Sequence, residues 1–409
     1  MLRLGVTRAP LVLVSTLGLT QILAWGSTYY LPAVTAQAIA EDTGWPFPWV
    51  VGGLSIGLFV AGLVSPRMGR AIEARGGRPV LAASSAVIAL GLAALALAPS
   101  LPLFLAAWVV LGVGMGIGLY DAAFAALGRQ FGLLARTPIT VLTLFGGFAS
   151  TVCWPLTTLL VETFGWRGAC LTYAAIHLAL ALPAHLAAIP APPARDDIAA
   201  RDGANGALPT TLSPARSRAC LWLLAAILTL AQVLVAVMSV HLIGFLRARG
   251  LELADAVALG MLIGPAQVGA RVVEMALSRH HHPVWTLVAS VALMAAGLAV
   301  LALGLPVTGV AIVIYASGVG IESIARGTVP LALFGARGYA ALMGRLAMPI
   351  LLAQAIAPPL AALAFDGADD GPILTLLALG AGFNVILAAA MLTVTRTAWR
   401  ARPALQTSM

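Results

Sequence analysis

Apolar residues run along this chain in long blocks, not in an alternating or heptad pattern. Twelve blocks stand out, at about 10–33, 46–64, 79–98, 102–124, 138–161, 168–189, 218–243, 256–277, 284–304, 307–330, 341–365 and 372–396. Most approach the ~20 residues that a helix needs to cross a ~30 Å hydrocarbon core. No strand-type alternation appears, and in lipid the backbone must be satisfied inside a helix or a closed barrel. The pattern predicts an all-α membrane protein of twelve transmembrane helices. Gly112, Gly114, Gly116 and Gly118 form a small-residue run in the fourth block, which predicts close helix approach.

The longest polar stretch, 190–217, reads PAPPARDDIAARDGANGALPTTLSPARS and has the composition of a flexible linker. It separates a six-helix bundle over 1–189 from a second over 218–409, which ends in a short tail. The halves echo each other. PLTTLLVE (Pro155–Glu162) resembles PLAALAFD (Pro359–Asp366), GMGIG resembles GVGIE from Gly318, and LTQIL in the first block resembles LAQVL in the seventh. The echoes predict two pseudo-symmetric repeats.

Composition agrees with a bilayer as solvent. The 409 residues are 61% hydrophobic and 9% charged, against about 25% charged in soluble domains. The net charge of +8 comes from arginine alone, because lysine is absent. If both termini are cytoplasmic, seventeen arginines fall in cytoplasmic segments and only Arg167, Arg247 and Arg249 fall outside. That asymmetry sets a multi-pass orientation in the cytoplasmic membrane and argues against a nucleic-acid partner. Cys153, Cys170 and Cys220 lie in or beside apolar blocks without paired spacing, so neither a disulfide nor a metal site is expected. The tract His280–His282 falls in a short loop beside Arg279 and lacks the acid or cysteine a metal site needs.

The segment after the second block, GRAIEARGGRPVL (Gly69–Leu81), resembles the signature loop of the major facilitator superfamily. Gly69, Glu73, Gly76 and Arg78 occupy its glycine, acid, glycine and basic positions. Glu73 stands where aspartate is usual and Ala74 where a base is usual. The corresponding segment of the second half, MALSRHHHP, has lost the pattern. The resemblance covers essentially the whole chain and implies the major facilitator fold and secondary transport, with Gly69, Glu73, Gly76 and Arg78 forming a gating loop. Four stretches narrow it: AWGSTYYLP (Ala24–Pro32), TGWPFPWV (Thr43–Val50), GVGMGIGLYDAAF (Gly112–Phe124) and FGWRG (Phe164–Gly168). They resemble the monocarboxylate and oxalate/formate branch. That resemblance implies that Arg271, in PAQVGARVVEMALSR, contacts a substrate carboxylate.

Six charged residues lie inside the apolar blocks: Asp121, Arg271, Glu274, Glu322, Arg326 and Arg345. A charge at mid-bilayer costs at least roughly 2.5–3.5 kcal/mol, so such residues are usually paired, wet or functional. Arg271 shares a helix face with Gln267 and stands one turn from Glu274. Glu322 and Arg326 are spaced i, i+4. Each set reads either as a substrate and proton site or as an ion pair that holds helices together. Asp121 reads either as a proton carrier or as a packing residue. Gln21, Trp25 and Tyr29 share one face of the first block and, with Tyr120, can line a substrate path. Arg345 is placed to snorkel to the surface.

These observations predict a secondary transporter, proton-coupled, moving a small organic anion by alternating access through a site near the bilayer midplane. Substrate contacts are expected from Arg271, Gln267, Trp25, Tyr29, Tyr120 and Gln21. Proton exchange is expected at Asp121, Glu274, Glu322 and Arg326. No cofactor is expected, and a monomer is. Export of a drug or metalloid is the alternative, although the fifth block carries GGFASTVCWP (Gly146–Pro155) where proton-driven drug exporters have a proline–glycine motif. A membrane-embedded enzyme would need a set such as His-Glu-x-x-His, and a sensor a soluble signalling domain; neither is present. Nor is a nucleotide-binding G-x-x-x-x-G-K-[ST] loop.

Overall fold

The computed structural model describes residues 8–194, 197, 200, 213–364 and 371–400, without the side chains of 8, 9, 364 and 396–400. Much of the 190–217 linker, residues 401–409 of the tail, and Asp366, Asp369 and Asp370 lie outside the described residues.

The described residues fold as helices: α1 (Arg8–Ser27), α2 (Pro32–Thr43), α3 (Phe47–Arg75), α4 (Gly77–Ala96), α5 (Leu101–Gly118), α6 (Tyr120–Phe131), α7 (Arg136–Gly147), α8 (Ala149–Ile176), α9 (Leu182–Ala188), α10 (Pro214–Ala248), α11 (Leu253–Gly260), α12 (Ile263–Leu277), α13 (Pro283–Ala302), α14 (Thr308–Phe334), α15 (Tyr339–Ala364) and α16 (Gly371–Arg400). Ten helical stretches are long and apolar enough to cross a membrane. One of them, Leu101–Ala188, has 88 residues and holds three crossings. Two contacts show the reversals inside it. The Tyr120 hydroxyl reaches the Thr143 carbonyl oxygen at 3.4 Å, past the turn Gly132–Ala135. The hydroxyls of Thr157 and Tyr173 are 2.7 Å apart, whereas sixteen residues of unbroken helix would separate them by ~24 Å. The chain turns between them at Gly165, whose φ of 69° suits a residue without Cβ. Among the described residues the crossings therefore number twelve, in an all-helical membrane fold.

Several blocks are less uniform than their hydropathy implies. The fourth is divided at Leu119, the fifth begins as α7 and continues as α8 after Phe148, and the eighth is divided between α11 and α12. The sixth contains a π-turn, His177–Ala181. The signature segment is not a loop through most of its length. Gly69–Arg75 completes α3, and the reversal rests on Gly76 at φ 81° before α4 starts at Gly77.

The chain forms two compact units, residues 1–198 with 338–356, and residues 199–337 with 357–409. In the first unit, Trp108, Leu111, Met115, Ile88 and Leu92 pack α4 and α5 together, with α3 alongside. The first half of α15 also belongs here. A Cβ on Gly69 would lie 3.0 Å from the Gly344 Cα, and one on Gly344 equally close to the Gly69 Cα, so α3 and α15 cross backbone to backbone. In the second unit Leu298, Ala311, Ile312 and Tyr315 join α13 to α14, with α10 and α16 packed alongside. Without an aqueous hydrophobic effect, close approach of this kind drives helix association in lipid. The three cysteines are free and buried.

Candidate functional site

Helix α12 inverts the usual distribution. Its two buried residues are Arg271 and Glu274, each 5% exposed. Val272, Val273, Met275 and Leu277 are exposed. The apolar side chains lie on the uncovered face and the charges are turned inward, and buried charges in a membrane helix are usually paired or functional.

Glycine at 320 makes the arrangement possible. A Cβ there would lie 2.8 Å from the Cα and 3.0 Å from the carbonyl carbon of Gln267, so α14 meets α12 at this point. One turn on, Arg271 donates from Nε to the Gly320 carbonyl oxygen at 3.1 Å. Gln267 is half-buried above it. Glu274 turns elsewhere. Its Oε1 accepts from Thr286 Oγ1 of α13 at 2.6 Å, and its Oε2 lies 3.5 Å from His281 Nε2. The two charges that the sequence spaces one turn apart thus serve different neighbours.

On α14, Glu322 and Arg326 are 2% and 8% exposed. Gln232 of α10, itself buried, donates from Nε2 to Glu322 Oε2 at 3.0 Å.

The first unit carries a second set. Gln21 is 1% exposed and donates from Nε2 to the Gly118 carbonyl oxygen at 2.7 Å, where α5 ends. Its Oε1 and the Nε1 of Trp25 are buried and have no hydrogen-bond partner among the described residues. Trp25 gathers rings around this point: Tyr120 at 5.0 Å, Tyr29 at 5.3 Å and Tyr30 at 6.2 Å between centroids. Asp121 follows Tyr120 in the first turn of α6 and is 7% exposed.

In the signature segment Glu73 is half-buried at the end of α3. Gly76 faces Pro192, which a Cβ would approach to 2.8 Å. Arg78 is exposed and forms no ion pair or hydrogen bond among the described residues. Arg345 is exposed as well.

Sequence reading brings forward Gln21, Trp25, Tyr29 and Tyr120, which the structure gathers in the first unit, and Gln267, Arg271, Glu274 and Glu322 in the second. It passes over Gln232, Thr286 and the contact made by His281. The signal for Gln232 is a lone amide in an apolar helix; that for His281 is its i+7 spacing from Glu274. It also passes over a buried seam in the first unit. There Ser27 Oγ meets His177 Nε2 at 2.8 Å, and His185 sits between Ser85 at 3.0 Å and Thr20 at 2.9 Å.

A family profile described as Major Facilitator Superfamily matches residues 17–358. Over 169 residues, 39% of this chain, the sequence is 32% identical to the human protein named monocarboxylate transporter 11 and to its mouse counterpart. The match spans 34% of the human and 36% of the mouse protein, about a third of either relative. Among solved structures, the major facilitator transporter FucP in its outward conformation is similar with a TM-score of 0.72 at 17% identity, over 94% of this chain and 99% of that one. The human organic anion transporter MFSD10 is similar with a TM-score of 0.70 at 18% identity, over 93% and 99%.

Proposed function

The chain belongs to the major facilitator superfamily, and we propose that it is a proton-coupled secondary transporter of a small organic anion. The carrying observation is helix α12, which buries Arg271 and Glu274 while exposing Val272 and Val273. A guanidinium held at Nε by the Gly320 carbonyl is positioned to meet a carboxylate, because its planar fork matches two oxygens at once. The partial similarity to proteins named monocarboxylate transporters supports a carboxylate. In this reading Gln267 flanks the anion. Within the first unit, the polar atoms of Gln21 and Trp25, with the Tyr29 and Tyr120 rings, line a substrate path. Asp121, Glu274 and Glu322 exchange protons, Arg326 balances their charge, and Gly69, Glu73, Gly76 and Arg78 form the gating segment. Access alternates between the two sides of the membrane. The arginine asymmetry of the loops supports a cytoplasmic membrane, with both termini cytoplasmic. The protein works as a monomer.

The test is uptake of labelled carboxylates by purified protein in liposomes, with and without an inward proton gradient. Gradient-driven uptake that is lost in Arg271→Ala is the expected result. Undiminished carboxylate uptake by that variant removes Arg271 from the site.

A further inference from the structure

The turn between α12 and α13 carries three consecutive histidines, His280, His281 and His282. One of them reaches into the span. His281 lies seven residues beyond Glu274, where the chain leaves the helical turn Ser278–His280 in an extended conformation. Its Nε2 stands 3.5 Å from Glu274 Oε2. The two side chains straddle the boundary, with His281 24% exposed and Glu274 only 6%.

The tautomer follows from the other ring nitrogen. His281 Nδ1 lies 3.3 Å from the His282 carbonyl oxygen, which can only accept, so Nδ1 carries a hydrogen. In the neutral ring Nε2 is then a bare acceptor, and it faces a carboxylate oxygen. The contact is an ion pair when the ring carries a second proton. Thr286 occupies the opposite carboxylate oxygen through its own hydroxyl hydrogen. Other charged and titratable residues lie on α12, on α14 and in the turn itself. Arg271 lies on α12 itself and is directed at Gly320. Glu322 and Arg326 lie on α14. Arg279, His280 and His282 belong to the same turn as His281, and α13 has no charged residue.

We propose that His281 and Glu274 form a proton-loading dyad in which His281 is the solvent-side carrier for the buried carboxylate. The proposal rests on the proton-coupled reading above and adds the route. Hydronium or a buffer acid gives its proton to His281 Nε2. The imidazolium passes it to Glu274 Oε2, which leaves a neutral ring and a neutral carboxylic acid. Release runs the same steps in reverse. Histidine is suited to this task because its proton exchanges near neutral pH.

His281→Gln keeps a polar side chain but carries no proton. In liposomes, the ratio of gradient-driven net uptake to substrate exchange falls by about tenfold or more in this variant, since exchange requires no net proton transfer. An unchanged ratio, or equal loss of both modes, overturns the dyad. A readout independent of transport separates this outcome from failure of the anion-transport reading. In ¹⁵N-histidine-labelled protein, Glu274→Gln alters the pH titration of the His281 ring and leaves unaltered that of His241, which lies on α10 with its Nε2 3.2 Å from the Pro358 carbonyl oxygen. Identical His281 titrations in both proteins overturn the proposal even if carboxylate transport is confirmed. An altered His281 titration supports it even if no carboxylate is carried.

Discussion

Gln232 donates to Glu322 across the second unit at 3.0 Å, and 204 positions before Glu322 the carbonyl of Gly118 accepts from Gln21 at 2.7 Å. The same spacing separates Pro155 from Pro359. The first and seventh crossings therefore each send one amide to an equivalent place in the fourth and tenth. The first half offers a main-chain carbonyl there, at the break before α6. The second half offers a carboxylate on an unbroken α14. The repeat is preserved in geometry and has diverged in charge.

Gln232→Leu should accordingly be among the more damaging conservative changes in the second unit. It removes a hydrogen bond from a carboxylate that is 2% exposed. Hydrogen bonds to charged groups contribute about 1.5–3 kcal/mol, and thermal unfolding in detergent should show a loss of that order. A melting temperature equal to that of the unaltered protein would mean that Glu322 does not depend on the amide.

A pair of glycine substitutions separates packing from helix propensity. Gly320→Ala places a methyl group against the backbone of Gln267, which cannot swing aside as a side chain could. Overpacking of this kind costs about 1–3 kcal/mol, and the shift also moves the carbonyl that holds Arg271. Gly269→Ala, on the open face of α12, meets nothing within 4 Å. It should be neutral or stabilising by at most about 1 kcal/mol. Equal destabilisation by both would contradict the crossing at Gly320.

Hydropathy blocks made the crossings legible, because lipid imposes length and apolar character on every span. They could not show that α3 runs on through Gly69 and Glu73 to Arg75, because a helix entering water loses its apolar signal while keeping its hydrogen bonds. The breaks at Leu119 and Met261 were hidden for the converse reason: the flanking residues stay apolar. The site was legible only as a set of charges. Spacing put Arg271 and Glu274 within reach of each other, yet Arg271 answers to Gly320 and Glu274 to Thr286 and His281. Which neighbour a side chain meets depends on how helices cross, and periodicity along one helix carries no such information.

Arg271→Lys tests geometry at constant charge. Lysine lacks the Nε that donates to Gly320, and its ammonium is a point charge instead of a planar fork. Carboxylate uptake should fall by at least about tenfold, equivalent to ~1.4 kcal/mol. Stability should change less than in Arg271→Ala, which removes the long side chain and its packing together with the charge. Uptake at the original rate with lysine would show that charge alone suffices.

Thr286→Val keeps the shape of the side chain and removes the hydroxyl that meets Glu274 at 2.6 Å. Threonine 286 is 1% exposed, so water cannot readily take its place. The single change should destabilise by about 1.5–3 kcal/mol while Glu274 is ionised. Against Glu274→Gln the acceptor is no longer charged, so the same change should cost less. A double-mutant cycle built from unfolding midpoints should therefore return a coupling of about 1 kcal/mol or more between the two positions. A coupling of zero would mean that the short contact contributes nothing to holding the carboxylate.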